Sequence, residues 1–407
     1  MKNLANGVIE TTDGRYIRIL EIEPINFMLR SDEEQFNIIS SFASWLKISP
    51  MRMQFKSMTR KADSDRHVAM VRAELEAEEN ESCKRLGEGY IRLIKDVGSR
   101  EALTRRFFLI FQYEELRRGD GEDYGQVLSM MQAAEQTARA YFFQCGNSIL
   151  DPKDPDEATA EILYMFFNRR SCVDEPFQSR VNRVVIDTMA TKQKVIGIDP
   201  VPHIRISNFL APRGIDLNHH HYVVMDGLYY TFLYIKGNGY PSMVRAGWMS
   251  SLINAGEGVD VDVFLRRENR SKSIDKVAQR IRLNRTKLKS MQDTSSDYEE
   301  LANSIQSGYY IKHGLSNNED LFYLSIFVTV SAKSYEELMW RKQQMTDMLK
   351  SMDMYVSDCR FQQEDALKTI MPFLKIVPRL ERKAKRNVLT SGAASTYMFT
   401  SFEMSDD

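Results

Sequence analysis

The stretch DLFYLSIFVTV (residues 320–330) indicates the fold class of this chain. It has the two-residue period of a β-strand with one face toward a core. Five apolar residues carry this period: Phe322, Leu324, Ile326, Val328 and Val330. An earlier stretch, TRRFFLIFQYE (104–114), is a continuous apolar run typical of a buried strand. Each half of the chain therefore contains one such strand.

Similar elements surround both strands. In the first half, the patterns predict strands at 15–29 and 51–58 and helices at 31–46 and 123–143, followed by a closing strand at 146–150. In the second half, the corresponding elements are predicted at the following positions: 222–235, 243–255, 259–267, 334–352 and 354–361. Both halves also contain a Ser-x-x-Glu capping signature, at Ser31/Glu34 and at Ser334/Glu337. The order is β-α-β, insertion, β-α-β in each half.

We therefore predict an α+β fold with two split βαβ (ferredoxin-like) units that carry long helical insertions. The first unit is expected at 1–150 with its insertion at 64–96, and the second at 222–361 with its insertion at 271–308. The prediction for the remainder is a helix and irregular linker at 151–221, and a helical and basic segment that ends in a strand at 362–407.

Composition excludes several classes of protein. The chain has 407 residues, 43% of them hydrophobic, and a formal net charge of -1, as in an ordinary globular protein. Its four cysteines form no CxxC pair and no zinc-ligand spacing, which indicates a reducing compartment. No stretch approaches the ~18 consecutive apolar residues of a membrane span.

The sequence offers no catalytic motif. A nucleotide-binding P-loop requires a Gly-Lys dipeptide, and the chain contains none. The stretch YVVMD (222–226) has the form of a magnesium-holding strand, but without a P-loop an exposed Asp226 is the favoured interpretation. The run His219 to His221 lacks supporting metal ligands and is interpreted as a surface loop. We predict that this chain is not an enzyme and binds no cofactor or metal.

Basic residues concentrate in RIRLNRTKLK (280–289). A solvated helix face is one interpretation. A nucleic-acid contact is the alternative, with these candidate residues: Arg280, Arg282, Arg285, Lys287 and Lys289.

Five long stretches occur in the order found in one family: RYIRILEIEPINFMLRSDEEQFNIISSFASWLK, LTRRFFLIFQYE, YVVMDGLYYTFLYI, GWMSSLINAGEGVDVDVFL and LTSGAASTYMFTSFEMSDD. Together they resemble the N-terminal half of the TraE-like conjugative-transfer ATPases, within the CagE/TrbE/VirB family of type IV secretion systems. The resemblance covers residues 10–407.

The resemblance implies a docking and assembly role at the cytoplasmic face of the bacterial plasma membrane. The implied partners are inner-membrane subunits of the secretion system and sister protomers, which form a hexamer in the intact protein. A RecA-like motor domain is expected beyond the terminal stretch, and ATP and Mg²⁺ are expected only there. The alternative function is a single-stranded nucleic-acid-binding module of the transfer apparatus.

The terminal stretch is a candidate interface. Its alternating pattern over 396–404 predicts a strand that lacks its neighbour when no motor domain is present, and so forms an unpaired edge. The residues expected at this interface are Tyr397, Phe399 and Phe402.

Overall fold

One antiparallel sheet runs through the whole molecule. The computed structural model describes residues 1–61, 71–72, 75, 78, 80–98, 103–113, 124–192, 206–241, 243–290 and 296–401. Within these ranges, twelve strands form a sheet in the order β1-β2-β3-β5-β4-β9-β10-β8-β7-β6, with β11 beside β8 and β12 beside β10. The α+β class predicted from the sequence is confirmed.

The strands are β1 (Asn3–Ala5), β2 (Val8–Glu10), β3 (Tyr16–Ile22), β4 (Arg52–Lys61), β5 (Leu103–Gln112), β6 (Ile215–Asp216), β7 (Val223–Met225), β8 (Leu228–Ile235), β9 (Val259–Arg267), β10 (Leu321–Ala332), β11 (Val356–Asp358) and β12 (Arg386–Leu389). The α-helices are α1 (Asp32–Ile48), α2 (Glu81–Gly98), α3 (Tyr124–Gln144), α4 (Pro155–Phe167), α5 (Ser171–Asp174), α6 (Phe177–Lys192), α7 (Ile206–Leu210), α8 (Met249–Ile253), α9 (Arg270–Lys289), α10 (Ser296–Ser316), α11 (Tyr335–Ser351), α12 (Gln363–Ile370), α13 (Pro378–Ala384) and α14 (Thr390–Ala394).

The two units share one strand arrangement. In the first, β5 lies between β3 and β4, and in the second, β10 lies between β8 and β9. The units join edge to edge where β4 pairs with β9, from Arg52 opposite Arg266 to Ser57 opposite Val261. We call this β4–β9 junction the seam. Each unit has its insertion between its second and third strands, and in the second unit this is the helical pair α9 and α10.

The periodicity of β10 has the predicted consequence. Its five alternating apolar residues all belong to a core on one face of the sheet, which we call the first core. Helices α1, α3, α8 and α11 contribute to this core from both units. Strand β5 has apolar residues on both faces: Phe107 and Leu109 enter the first core, while Phe108 and Ile110 enter a second core on the opposite face. Its continuous apolar run therefore reflects burial on both faces.

The second face is covered by segments that lie outside the two βαβ units. Helices α4 and α5 come from residues 151–221, and α12 and α13 come from 362–407. The expectation of an irregular linker after α4 is wrong at α6, which is helical over sixteen residues. Pro176 is compatible with a loop, but it directly precedes α6. Proline is tolerated at the start of a helix because the first N–H groups of a helix have no helical partners.

Two other elements are shorter than predicted. The helix expected over 243–255 is only α8, since Gly247 has a φ of 75° and cannot continue a right-handed helix toward its N-terminal side. The closing strand expected at 146–150 is a single antiparallel bridge between Ile149 and Ile22. The insertion predicted at 64–96 lies partly outside the described residues, and α2 is its described C-terminal part.

A buried ion pair fixes the seam on the second face. The Lys56 Nζ lies 2.8 Å from Asp262 Oδ2, and both side chains are almost fully buried. Gln54 donates a 2.8 Å hydrogen bond to the same carboxylate. Burial raises the pKa of the Asp262 carboxyl, while the Lys56 ammonium opposes this shift. Either charge alone would be strongly destabilising in the core, so each is stable there only because the other is present.

The C-terminal segment enters the first core. Tyr397 and Phe399 are both fully buried, and the Phe399 ring lies 5.0 Å from that of Phe142. The Ile25 N–H donates to the Phe399 carbonyl at 3.1 Å, and the Ser401 N–H donates to the Ile25 carbonyl at 2.9 Å. The expectation that Tyr397 and Phe399 form an unpaired interface edge is corrected: they are core residues. Phe402 lies outside the described residues.

Candidate functional site

The predicted basic residues lie on a helical hairpin made of α9 and α10. Asn269 caps α9, with its side chain accepting a 3.3 Å hydrogen bond from the Lys272 N–H. Arg270 fastens the hairpin base by donating to the Leu315 carbonyl at 2.9 Å. Along the hairpin, Gly308 faces Ile281 so closely that an added Cβ would lie 2.8 Å from that side chain. A small residue at 308 therefore lets the two helices pack against each other.

All five candidate nucleic-acid contacts are exposed on α9, namely Arg280, Arg282, Arg285, Lys287 and Lys289. The helix contains eight Lys or Arg residues and one Asp, although the whole chain has a net charge of -1. Within the described ranges, none of the five forms an ion pair with a carboxylate. This is a local concentration of positive charge on α9, and the facing helix α10 carries three carboxylates, those of Asp297, Glu299 and Glu300, near its start.

The five residues do not share one side of the helix. Arg282, Arg285 and Lys289 are spaced by three and four residues, so they lie on one side, which we call the tyrosine side. Arg285 Nη1 donates a 3.1 Å hydrogen bond to the Tyr309 hydroxyl on α10, which places that tyrosine beside them.

The other two candidates lie on a different side of α9. Arg280 and Lys287 are seven residues apart, so they share a side with each other. The sequence pattern indicates the positive charge of α9, whereas this division and the neighbouring Tyr309 follow from the packing of α9 against α10.

A second exposed feature is the apolar stripe of α2, which the sequence analysis did not identify. Leu86, Tyr90 and Leu93 are 77%, 47% and 59% exposed. Their spacing of four and three residues aligns them along one side of the helix. Ile91, by contrast, is buried. The 3.6-residue period of these apolar positions was the available signal, hidden among charged neighbours.

A cleft of about 540 Å³ lies between the helices of 151–221 and the ends of β4 and β10. Two half-buried arginines that line it already have partners within the protein. Arg169 Nη2 lies 2.8 Å from Asp260 Oδ1, and Arg341 Nη1 donates a 2.7 Å hydrogen bond to the Glu257 carbonyl. These arginines join the walls of the cleft and have a structural role.

The residues considered for metal binding have structural contacts. Asp226 is buried, which corrects the expectation of an exposed residue, and it accepts hydrogen bonds from the Arg170 and Ser171 N–H groups at 2.9 and 2.6 Å. It therefore caps the short helix α5. His220 is exposed and stacks on Phe361. Across the described ranges, no group of three or more His, Cys, Asp or Glu could hold a metal ion.

Comparison with known proteins gives one family match. Residues 3–133 match the model of the archaeal TraC-like domain. This region is therefore similar to a TraC-like domain, and it includes β1 to β5, α1 and α2. No curated protein matches the chain. In the part of the chain that the structure describes, no helix has the length and apolar character needed to cross a membrane.

Proposed function

We propose that this chain is a docking and assembly region of a conjugative DNA-transfer ATPase. The TraC-like match supports the conjugation theme, and the sequence resemblance supports the finer assignment to the TraE-like branch of the CagE/TrbE/VirB family. In this proposal the chain works at the cytoplasmic face of the plasma membrane. It binds inner-membrane subunits and sister protomers, and ATP and Mg²⁺ are used by a motor domain outside this chain.

The apolar stripe of α2 carries the proposal. It lies within the TraC-like match, and Leu86 and Leu93 expose more than half of their surfaces to solvent. Apolar side chains aligned along an otherwise charged helix are suited to insert into a groove of a partner protein. Burying the two leucines removes enough apolar surface to contribute several kcal/mol to binding, at ~1.5–3 kcal/mol for each side chain.

The test is co-purification with the small inner-membrane subunits encoded in the same transfer locus. The double variant Leu86→Glu/Leu93→Glu places charge in the stripe, and we expect it to lose at least nine-tenths of the recovered subunit. The matched control is Leu283→Glu on α9, an exposed leucine outside the stripe. We expect this control to retain binding.

Two outcomes would contradict the proposal. One is equal recovery by the stripe variant and the wild type. The other is the absence of any membrane subunit from wild-type preparations under conditions in which both proteins are expressed and folded. Circular dichroism of each variant excludes loss of structure as the cause. We also expect the purified chain to show no ATP turnover, because its sequence has no Gly-Lys of a P-loop.

A further inference from the structure

We propose that the α9–α10 hairpin binds single-stranded nucleic acid along its tyrosine side. The contacts are Arg282, Arg285 and Lys289 to successive phosphates, with Tyr309 as a stacking surface for a base. This function is separate from the docking role of α2, since the two features lie on different insertions of the chain.

The charge distribution supports a polyanionic ligand. Eight basic residues against one acidic residue on α9 create a local positive field in a chain of nearly neutral net charge. When an exposed cation has no carboxylate partner, a phosphate can bind it without breaking an existing ion pair. The five candidates meet this condition within the described ranges. Binding to phosphates also releases counterions from the nucleic acid, which favours association at low salt.

The tyrosine contact selects one side of the helix. The hydrogen bond from Arg285 to Tyr309 joins a cation and an aromatic ring that is 45% exposed. The next residue, Tyr310, is 67% exposed. Aromatic rings beside a row of cations are the usual elements of single-strand binding, because unpaired bases stack on the rings while the cations follow the backbone. The Arg280 and Lys287 side has no such tyrosine contact among the hydrogen bonds of the described residues.

An anionic membrane is a weaker candidate for this surface. A helix that lies in a bilayer interface needs a continuous apolar face opposite its charged face. On α9, Leu283 is the large apolar residue that is exposed, and Ile281 is buried. The exposed surface therefore consists mainly of cations and polar groups, which favours nucleic acid over lipid.

The experiment measures fluorescence anisotropy of a 5′-labelled 20-nucleotide oligo-dT with the full chain at several salt concentrations. The tyrosine-side variant is Arg282→Gln/Arg285→Gln/Lys289→Gln. We expect it to weaken binding more than tenfold. We also expect the slope of log affinity against log salt to become shallower by about 2, because each of the three lost phosphate contacts accounts for ~0.7 of the slope. The control Lys276→Gln/Arg280→Gln/Lys287→Gln removes the same formal charge from the other side, where Lys276 lies one turn before Arg280 and 4.0 Å from the Glu268 carboxylate. We expect it to cause less than a threefold loss.

Variants of Tyr309 separate stacking from hydrogen bonding. Tyr309→Phe removes the hydroxyl that accepts from Arg285 but keeps the ring, and should bind nearly as well as the wild type. Tyr309→Ala removes the ring and should weaken binding about fivefold or more. Circular dichroism and thermal melting verify that all variants remain folded.

Three results would overturn the proposal. The first is no binding of oligo-dT at 50 mM salt. The second is an equal loss for the two triple variants, which would mean that only diffuse charge attracts the strand. The third is equal or stronger binding to a duplex of the same length or to vesicles containing anionic lipid, which would assign the surface to a different ligand.

Discussion

The two βαβ units have the same strand arrangement but complete their structures differently. In the second unit, β11 is a regular strand that pairs with β8 over three residues. In the first unit, the equivalent position is a single bridge at Ile149, and the C-terminal segment fills the neighbouring core with Tyr397 and Phe399. The second unit is thus completed by a strand that is near it in the sequence. The first unit depends on a distant segment, because Tyr397, which donates a hydrogen bond to Asn147, is 250 positions away from it.

This difference means that the C-terminal segment acts as a structural part of the first unit. The chain leaves β12 beside β10 in the second unit, forms α14 against α1, and then enters the aromatic core of the first unit. It therefore holds the two units together on the first face of the sheet, while the Lys56–Asp262 pair joins them on the second face. The predictions below test each of these connections.

The largest expected effect comes from Phe399→Ala. This ring is fully buried and packs against Phe55, Phe107 and Phe142, so its removal leaves a cavity. We expect the free energy of unfolding to fall by about 4 kcal/mol. The matched control is Phe361→Ala beside β11, where the ring is 77% exposed and the loss should stay below about 0.5 kcal/mol. Urea unfolding measures the free energy of unfolding of both variants. A loss for Phe399→Ala as small as that for Phe361→Ala would mean that the first unit does not depend on the C-terminal segment.

The seam provides the second prediction. Lys56→Met leaves the buried Asp262 carboxylate without its cation, and we expect a loss of about 3 kcal/mol at pH 7. The hydrogen bond from Gln54 keeps the loss near the lower end of the range for broken buried pairs. In the double variant Lys56→Met/Asp262→Asn no charge remains in the pair and the Gln54 amide keeps an acceptor, so stability should return to within about 1 kcal/mol of the wild type.

The pH dependence of Lys56→Met sharpens this test. Burial raises the pKa of Asp262, and the variant lacks the ammonium that opposes the shift. A carboxyl whose pKa is higher in the folded than in the unfolded state favours folding when protonated. The stability deficit of Lys56→Met should therefore shrink as the pH falls through the raised pKa, as measured by urea midpoints from pH 7 to pH 4. A deficit that is constant over this range would exclude an unpaired carboxylate as its cause.

The two capping signatures give a smaller comparison. At Ser31 the box is reciprocal, because its hydroxyl accepts from the Glu34 N–H and its own N–H donates to the Glu34 carboxylate at 2.9 Å. At Ser334 the hydroxyl accepts from the Glu337 N–H at 3.2 Å, but the Glu337 carboxylate accepts from the Lys333 N–H.

Alanine at each capping position measures this difference. We expect Ser31→Ala to cost about 1.5 kcal/mol and Ser334→Ala about 0.7 kcal/mol. Thermal unfolding of the two variants provides the measurement, and the reverse order would show that the additional 3.0 Å hydrogen bond from the Ser31 hydroxyl to the Glu34 carboxylate contributes nothing.

Sequence patterns predicted the elements that obey local rules. The period of β10, the helix α3 and the capping signature at Ser31 all follow from neighbouring residues. Sequence patterns did not predict that helices cover the second face of the sheet. One of the helices after α4, α6, directly follows Pro176, and a proline at that position is equally compatible with a loop. The burial of Phe399 was missed for a similar reason: alternation identifies an extended segment, but it does not identify which core the segment enters.

The candidate sites show the same limit. The basic run 280–289 was evident from composition, and the structure confirms that its five cations are exposed. Which of them face Tyr309 depends on the packing of α9 against α10, and this packing is a tertiary property. The apolar stripe of α2 was in principle predictable, since its residues follow the helical period within eight positions. Charged and polar residues between these positions make the apolar period of α2 weak in the sequence.

The smallest predicted effect concerns the turns that precede the first strand of each unit. The second unit uses a two-residue Asp226–Gly227 turn in which both residues have positive φ, at 52° and 75°. The first unit uses a longer turn, in which a hydrogen bond from the Thr11 hydroxyl lowers the pKa of Asp13 to about 2, with a further contribution from Arg15. Asp13 is 42% exposed, so solvent screening limits its contribution to less than about 1 kcal/mol.

The pH dependence of Asp13→Asn tests this contribution. A carboxyl with a lowered folded pKa stabilises the protein above its unfolded pKa, and this stability is lost as the pH falls toward the folded pKa. The wild type should therefore exceed Asp13→Asn by less than about 1 kcal/mol at pH 7, and the difference should diminish between pH 3.8 and pH 2. Urea midpoints of both proteins at pH 7, 4 and 3 measure it. A difference that persists unchanged at pH 3 would show that the asparagine perturbs the turn itself and that the Asp13 charge is not what stabilises it.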